Sequence, residues 1–112
     1  MLTKFHGFLC VHKHVGESSY DVIRKIKKAI PEKKIGHAGT LDPFAEGLLI
    51  IVIGRHYTKQ ISIFQDMPKR YQFTLSLGTS TDSLDSTGTV IERQAIPSVS
   101  EEQVKDVLSS FI

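Results

Sequence analysis

One cysteine, no tryptophan and four prolines in 112 residues exclude several kinds of protein at once. Cys10 alone closes no internal disulfide, so the chain is not a disulfide scaffold, and its thiol fits a reducing interior. The longest apolar runs, such as Leu48 to Ile53, fall far short of the roughly 20 residues that cross a bilayer. No basic start leads into an apolar core and a small-residue cleavage site, so no signal peptide is expected; the expected location is the cytoplasm, with no membrane partner. There is no internal repeat. With 40% hydrophobic and 23% charged residues, eight glycines and four prolines, the chain is neither disordered nor collagen-like. What remains is one globular domain, or part of one, able to bury a core.

The net charge of +2 conceals an asymmetry. Residues 1–70 carry 12 Lys/Arg against 6 Asp/Glu, whereas residues 71–112 carry 2 against 6. Arg24, Lys25, Lys27, Lys28, Lys33 and Lys34 concentrate the basic excess. Such a cluster fits a phosphate backbone, and equally a solvated helix face.

Gly7 to Lys13 reads as a short strand. Ser18 and Asp21 have capping spacing ahead of a helix whose buried stripe is Val22, Ile26, Ala29 and Ile30, and Pro31 ends it. Residues 35–47 read as a glycine-punctuated loop, Leu48 to Ile53 as a strand buried on both faces, and Tyr57 to Phe64 as one short helix. Tyr71, Phe73, Leu75 and Leu77 alternate with polar residues, which predicts a half-buried strand. A polar loop over Gly78 to Gly88 leads to a strand near Thr89 to Arg93, its expected antiparallel partner. Ser100 and Gln103 form a capping box before the stripe Val104, Val107, Leu108, Phe111. That last helix has no stop signal, which makes the chain an expected fragment of a longer protein.

The segment Gly36-His37-Ala38-Gly39-Thr40-Leu41-Asp42-Pro43 carries the chemistry. Gly36 and Gly39 allow backbone angles closed to other residues and leave room for a ligand. Pro43 pushes Asp42 toward an extended conformation just before a strand that anchors the loop. A carboxylate held this way suits a nucleophile or general base; an ordinary Asp-Pro turn has the same sequence. No Gly-Lys-Ser/Thr follows the glycines, which excludes a Walker phosphate loop.

This octapeptide, with Ala45 and Gly47, resembles the catalytic signature of the TruB family of RNA pseudouridine synthases. Lys13, Gly16 and Ser18-Ser19 resemble the family's Lys-Pro-x-Gly-x-Ser segment. Lys69-Arg70-Tyr71 resembles its Lys-x-Tyr strand start, and Thr81-Asp82-x-x-Asp85 with Gly88 its Thr-Asp-x-x-Asp loop. The likeness runs from about Gly7 to Arg93. The implied fold is α+β, a mixed, largely antiparallel sheet flanked by helices. Residues 1–112 would be the N-terminal part of the catalytic domain, without its second half and the C-terminal RNA-binding region.

The resemblance implies isomerisation of a uridine in the tRNA T-arm to pseudouridine, with the base flipped out of the RNA fold. Asp42 is then the catalytic carboxylate, Tyr71 stacks on the flipped base, and His37 contacts RNA near the site. Lys13, Gly39, Thr40 and Lys69 support the site or contact RNA; for Lys13, Lys69 and Arg70 a phosphate contact and a structural ion pair stay open. Asp82 and Asp85 order the neighbouring loop. Neither metal nor cofactor is implied, nor an obligate protein partner. An arginine that would keep Asp42 ionised belongs, by the same resemblance, to a segment after residue 112.

The chain departs from the family pattern at His12-Lys13-His14, where Asp-Lys-Pro is usual, and at Glu46, where a small hydroxyl residue is common. Gly54 to Thr58 is one residue longer than the common pattern. Two rival readings accompany the enzyme: a non-catalytic RNA-binding fragment, and a zinc site built from Cys10, His12 and His14, which share a strand face, with His37 or His56 as fourth ligand.

Overall fold

The apolar run ending at Ile53 becomes the middle strand of a three-stranded sheet. In the computed structural model, which describes residues 5–112, the chain forms two units that meet in sequence at Arg70 and Tyr71. The first contains β1 (Gly7–Lys13), α1 (Ser19–Ala29), β2 (Ile35–Ala38), β3 (Gly47–Ile53), α2 (Arg55–Thr58) and α3 (Ile61–Gln65). Its strand order is β1-β3-β2, and both pairings are antiparallel. Register sets Val11 opposite Leu49, Lys13 opposite Gly47 and Ile35 opposite Ile53, so odd-numbered residues of all three strands share one face.

Helix α1 covers that face. Val22, Ile23, Leu49 and Ile51 form its buried core, with Val11, Ile26, Ile35 and Ile53 packed around them. Each fully buried side chain of this kind contributes about 1.5–3 kcal/mol over an exposed one. The helix begins at the predicted capping box: the Asp21 N–H donates to Ser18 Oγ at 3.0 Å, and the Ser18 N–H donates to Asp21 Oδ2 at 2.8 Å. It ends at Ile30, before Pro31. Its buried stripe is shifted from the expected one, because Ile23 is buried and Ala29 is exposed.

Among the described residues of this unit, the even-numbered face is covered only at one end. Phe8 packs edge-on against Tyr57 (5.3 Å) and Phe64 (4.7 Å), and Ile61 approaches Gly36 so closely that an added Cβ would lie 3.1 Å from Ile61 Cδ1. The single helix expected over Tyr57 to Phe64 is therefore two short helices, broken at Lys59 and Gln60, that follow the sheet surface. Val52 lies under this cover, while Leu48, Cys10 and His12 beyond it are exposed. Burial of β3 on both faces thus holds at its C-terminal end and fails at Leu48.

The second unit contains β4 (Thr79–Thr81), β5 (Val90–Arg93) and α4 (Glu101–Ser109). β4 and β5 pair antiparallel with a bulge at Ser80/Thr81. The strand expected over Tyr71 to Leu77 is absent: these residues have no ladder partner among the described residues, and Tyr71, Phe73, Leu75 and Leu77 are all exposed. Alternation alone makes no strand without a neighbour to bond. The partner of β5 is Thr79–Thr81, inside the segment expected to be loop. Helix α4 has the expected capping box, but Val104, Val107, Leu108 and Phe111 are exposed. The architecture is α+β, with antiparallel sheets and flanking helices, as the sequence implies. Among the described residues no helix is long and apolar enough to cross a membrane.

Candidate active site

The Asp42 segment is the connection between two antiparallel neighbours. The first residues of the expected loop, Ile35–Ala38, are in fact β2, paired with β3, so the loop proper spans residues 39–46. Gly36 earns its place by the close approach of Ile61, not by an unusual backbone angle. Gly39 does have one: its φ of 95° turns the chain out of β2.

Three anchors hold the loop from the β1–α1 side. The buried Ser19 hydroxyl accepts from the Leu41 N–H at 3.1 Å and donates to the Leu41 carbonyl at 3.2 Å. The Gly16 N–H donates to the Pro43 carbonyl at 2.6 Å. Lys13, fully buried, donates from Nζ to the carbonyls of His14 (2.9 Å), Glu17 (2.7 Å) and Ala45 (2.7 Å). All three ammonium donors are thereby matched, which offsets the cost of burying the charge. Among the described residues Lys13 forms no ion pair; it staples the Asp42 loop to the start of α1.

Asp42 lies between these anchors. Its carbonyl accepts from the Ala45 N–H at 2.9 Å, closing a turn with Pro43 at the second position, where its fixed φ is favoured. The expected Asp-Pro turn is present, and it uses the backbone alone. The residue is exposed, and among the described residues no hydrogen bond or ion pair engages the side chain. His37 is half-buried on β2, and its Nδ1–H donates to the Gly39 carbonyl at 2.8 Å. That bond fixes the ring and leaves Nε2 as the acceptor of the neutral imidazole. Thr40, three residues further on, is exposed.

Other singled-out residues serve local structure. Lys69 donates from Nζ to the carbonyls of Gln65 (2.5 Å) and Met67 (3.0 Å) at the end of α3. In the second unit, Asp85 Oδ1 accepts from Thr87 Oγ1 (2.6 Å), Ser83 Oγ (2.7 Å) and the Thr87 N–H (2.8 Å). The Thr87 hydroxyl first, then that of Ser83, lowers the Asp85 pKa below the usual carboxylate range. Asp82 Oδ1 accepts from the Thr89 N–H at 2.8 Å. Tyr71 is exposed at the start of this unit. Within the basic cluster, Arg24 pairs with Asp21 and stacks over Tyr20, and Lys25 pairs with Glu17 at 3.0 Å.

The departures from the family pattern also converge. His12, His14 and Glu46 bring one ligand atom each within 4.8 Å of one another. Cys10, the expected third member, is outside that group, as are His37 and His56. Sequence reasoning missed the Ser19 clamp, whose only signal was the serine pair itself: one hydroxyl caps the helix and the other faces the loop.

Residues 27–112 match the family described as TruB family pseudouridylate synthase (N terminal domain). The chain is similar to proteins named tRNA pseudouridine synthase B: 41% identical over 105 residues in Desulfotalea psychrophila (94% of this chain, 43% of the relative). It is 40% identical over 105 residues in Geobacter sulfurreducens (94% and 34%), and 48% identical over 98 residues in Chlamydia pneumoniae (85% and 41%). The chain spans about a third to two fifths of the length of these curated relatives.

Proposed function

The chain belongs to the TruB family of pseudouridylate synthases, and from that premise we propose that it forms the N-terminal part of a catalytic domain that isomerises a uridine of the tRNA T-arm. The N1–C1′ bond breaks, the base turns, and C5 bonds to C1′; C5 gives up its proton and N1 gains one. Atoms and electrons balance within the nucleoside, so the conversion calls for no redox partner and no co-substrate. The second half of the domain and an RNA-binding region come from sequence outside residues 1–112, together with the arginine that keeps Asp42 ionised. A tRNA substrate makes the cytoplasm the site of action.

One observation supports this reading above the others: the Asp42 carboxylate is exposed and unengaged among the described residues, while Leu41, Pro43 and Ala45 around it are each bonded to the β1–α1 region. A rigid backbone under an uncommitted carboxylate is what a group acting on a bound sugar or base requires. Because a stacked uridine is out of reach, the nucleotide is extruded, with Tyr71 stacking on the base and His37 at the rim. Recognition of the T-arm rests mainly on the folded shape of its loop.

The test is Asp42→Asn in the full-length protein, with a T-arm transcript and direct scoring of pseudouridine. We expect product formation to be abolished while most RNA affinity is kept. Turnover at the parental rate would remove Asp42 from the role.

A further inference from the structure

The strand that buries Lys13 turns its neighbours outward. His12 and His14 flank Lys13, so alternation sends both rings to the face opposite the buried ammonium, and both residues are exposed. The β1–β3 register ends where Lys13 pairs with Gly47, the residues that adjoin His14 and Glu46 in sequence. The two rings lie 4.6 Å apart, centre to centre, and His12 Nε2 is 3.4 Å from Glu46 Oε2. One ligand atom from each residue falls within 4.8 Å of the others.

We propose that His12, His14 and Glu46 form a binding site for a borderline divalent cation of the zinc type. Two imidazoles and one carboxylate are the donor set such ions take, with positions left for water. Magnesium and calcium are held by oxygen donors and are poorly served by two ring nitrogens. The ligands are already solvated and adjacent, so binding requires little desolvation and little rearrangement. Glu46 directly follows Ala45, whose carbonyl holds Lys13 Nζ. The ion would therefore tie the end of the Asp42 loop to β1 from outside, where Lys13 ties it from inside. This site stands on the proximity of His12, His14 and Glu46 and is independent of the reading of Asp42.

The experiment is zinc titration of the full-length protein against a chromophoric chelator, with cobalt as a spectroscopic substitute. One equivalent of zinc is expected to bind at this site. His14→Ala and Glu46→Ala should each weaken that equivalent by at least the roughly tenfold that loss of even an outer-sphere partner costs. Both residues are exposed, so both variants should fold, which far-ultraviolet dichroism checks. Cys10→Ser should leave the affinity unchanged, cobalt should show no thiolate charge-transfer band, and excess magnesium should leave zinc bound. No bound equivalent, parental affinity in both variants, loss on Cys10→Ser, or displacement by magnesium would each overturn the assignment.

Discussion

Ser19 Oγ and the Leu41 backbone bond to each other twice, N–H to hydroxyl at 3.1 Å and hydroxyl to carbonyl at 3.2 Å. The first residue of α1 thus fixes the residue just before Asp42. With Gly16 on Pro43 and Lys13 on Ala45, these three anchors reach the loop from β1, from α1 and from the turn between them. The loop's position is inherited from α1, whose own position is set by Val22 and Ile23 in the core.

Ser19→Ala should therefore cost both stability and turnover. It leaves a part-buried N–H and carbonyl at Leu41 without their partner, a loss of about 1–3 kcal/mol. Urea denaturation should show a lowered midpoint with an unchanged slope. In the full-length protein, turnover should fall more than RNA affinity does, because Asp42 loses its aim and the RNA contacts stay. Equal losses in both, or none in either, would mean that the clamp does not position the carboxylate.

Lys13→Met tests the inner staple. Methionine matches the stem of the side chain but gives nothing to the carbonyls of His14, Glu17 and Ala45. The expected loss is on the order of 3 kcal/mol, since three acceptors lose one shared donor. Lys13→Arg should not rescue it, because a planar guanidinium cannot aim three donors from one point as an ammonium does. A thermal midpoint restored by arginine would show that charge alone suffices there.

Much of the first unit was legible because its signals are local. Ser18 with Asp21, Pro31 and the apolar run before Gly54 marked a helix start, a helix stop and a central strand, and each is found. β2 was not legible: Ile-Gly-His-Ala has little strand character, and it is a strand only because β3 lies beside it and Ile61 seats on Gly36. The reverse error occurred at Tyr71 to Leu77, where a strong alternating pattern has no neighbour to pair with among the described residues. Asp42 was legible as a motif, but its support was not. Lys13 reads as a surface charge in any one-dimensional view, and only the register that faces it inward opposite Gly47 reveals a buried donor.

Acid should loosen α1 through Asp21. The Ser18 N–H, then Arg24 and the Ser18 hydroxyl, hold the Asp21 pKa down at about 2, below its ordinary 3.8. A carboxyl depressed on folding adds stability that is fully present above its unfolded pKa and lost as pH falls through the folded one. Asp21→Asn should therefore be less stable than the parent near neutrality, and the gap should close as pH drops from about 4 toward 2. Helix content followed by far-ultraviolet dichroism along such a titration checks it. A gap of constant size would place the effect of Asp21 elsewhere than in its charge.

The second unit yields the last prediction. Phe73, Leu75, Val107 and Phe111 are 74%, 68%, 60% and 82% exposed, more apolar surface than an isolated chain comfortably shows water. If the proposed remainder of the catalytic domain packs on these residues, the 112-residue chain made alone should bind a hydrophobic dye strongly and the full-length protein weakly. The same comparison bears on activity. Without the arginine and the rest of the domain, the short chain should give little or no pseudouridine from a T-arm transcript, whatever RNA it binds. Robust turnover by residues 1–112 would mean that Asp42 and its anchors form a complete site, and that the exposed apolar surface needs another explanation.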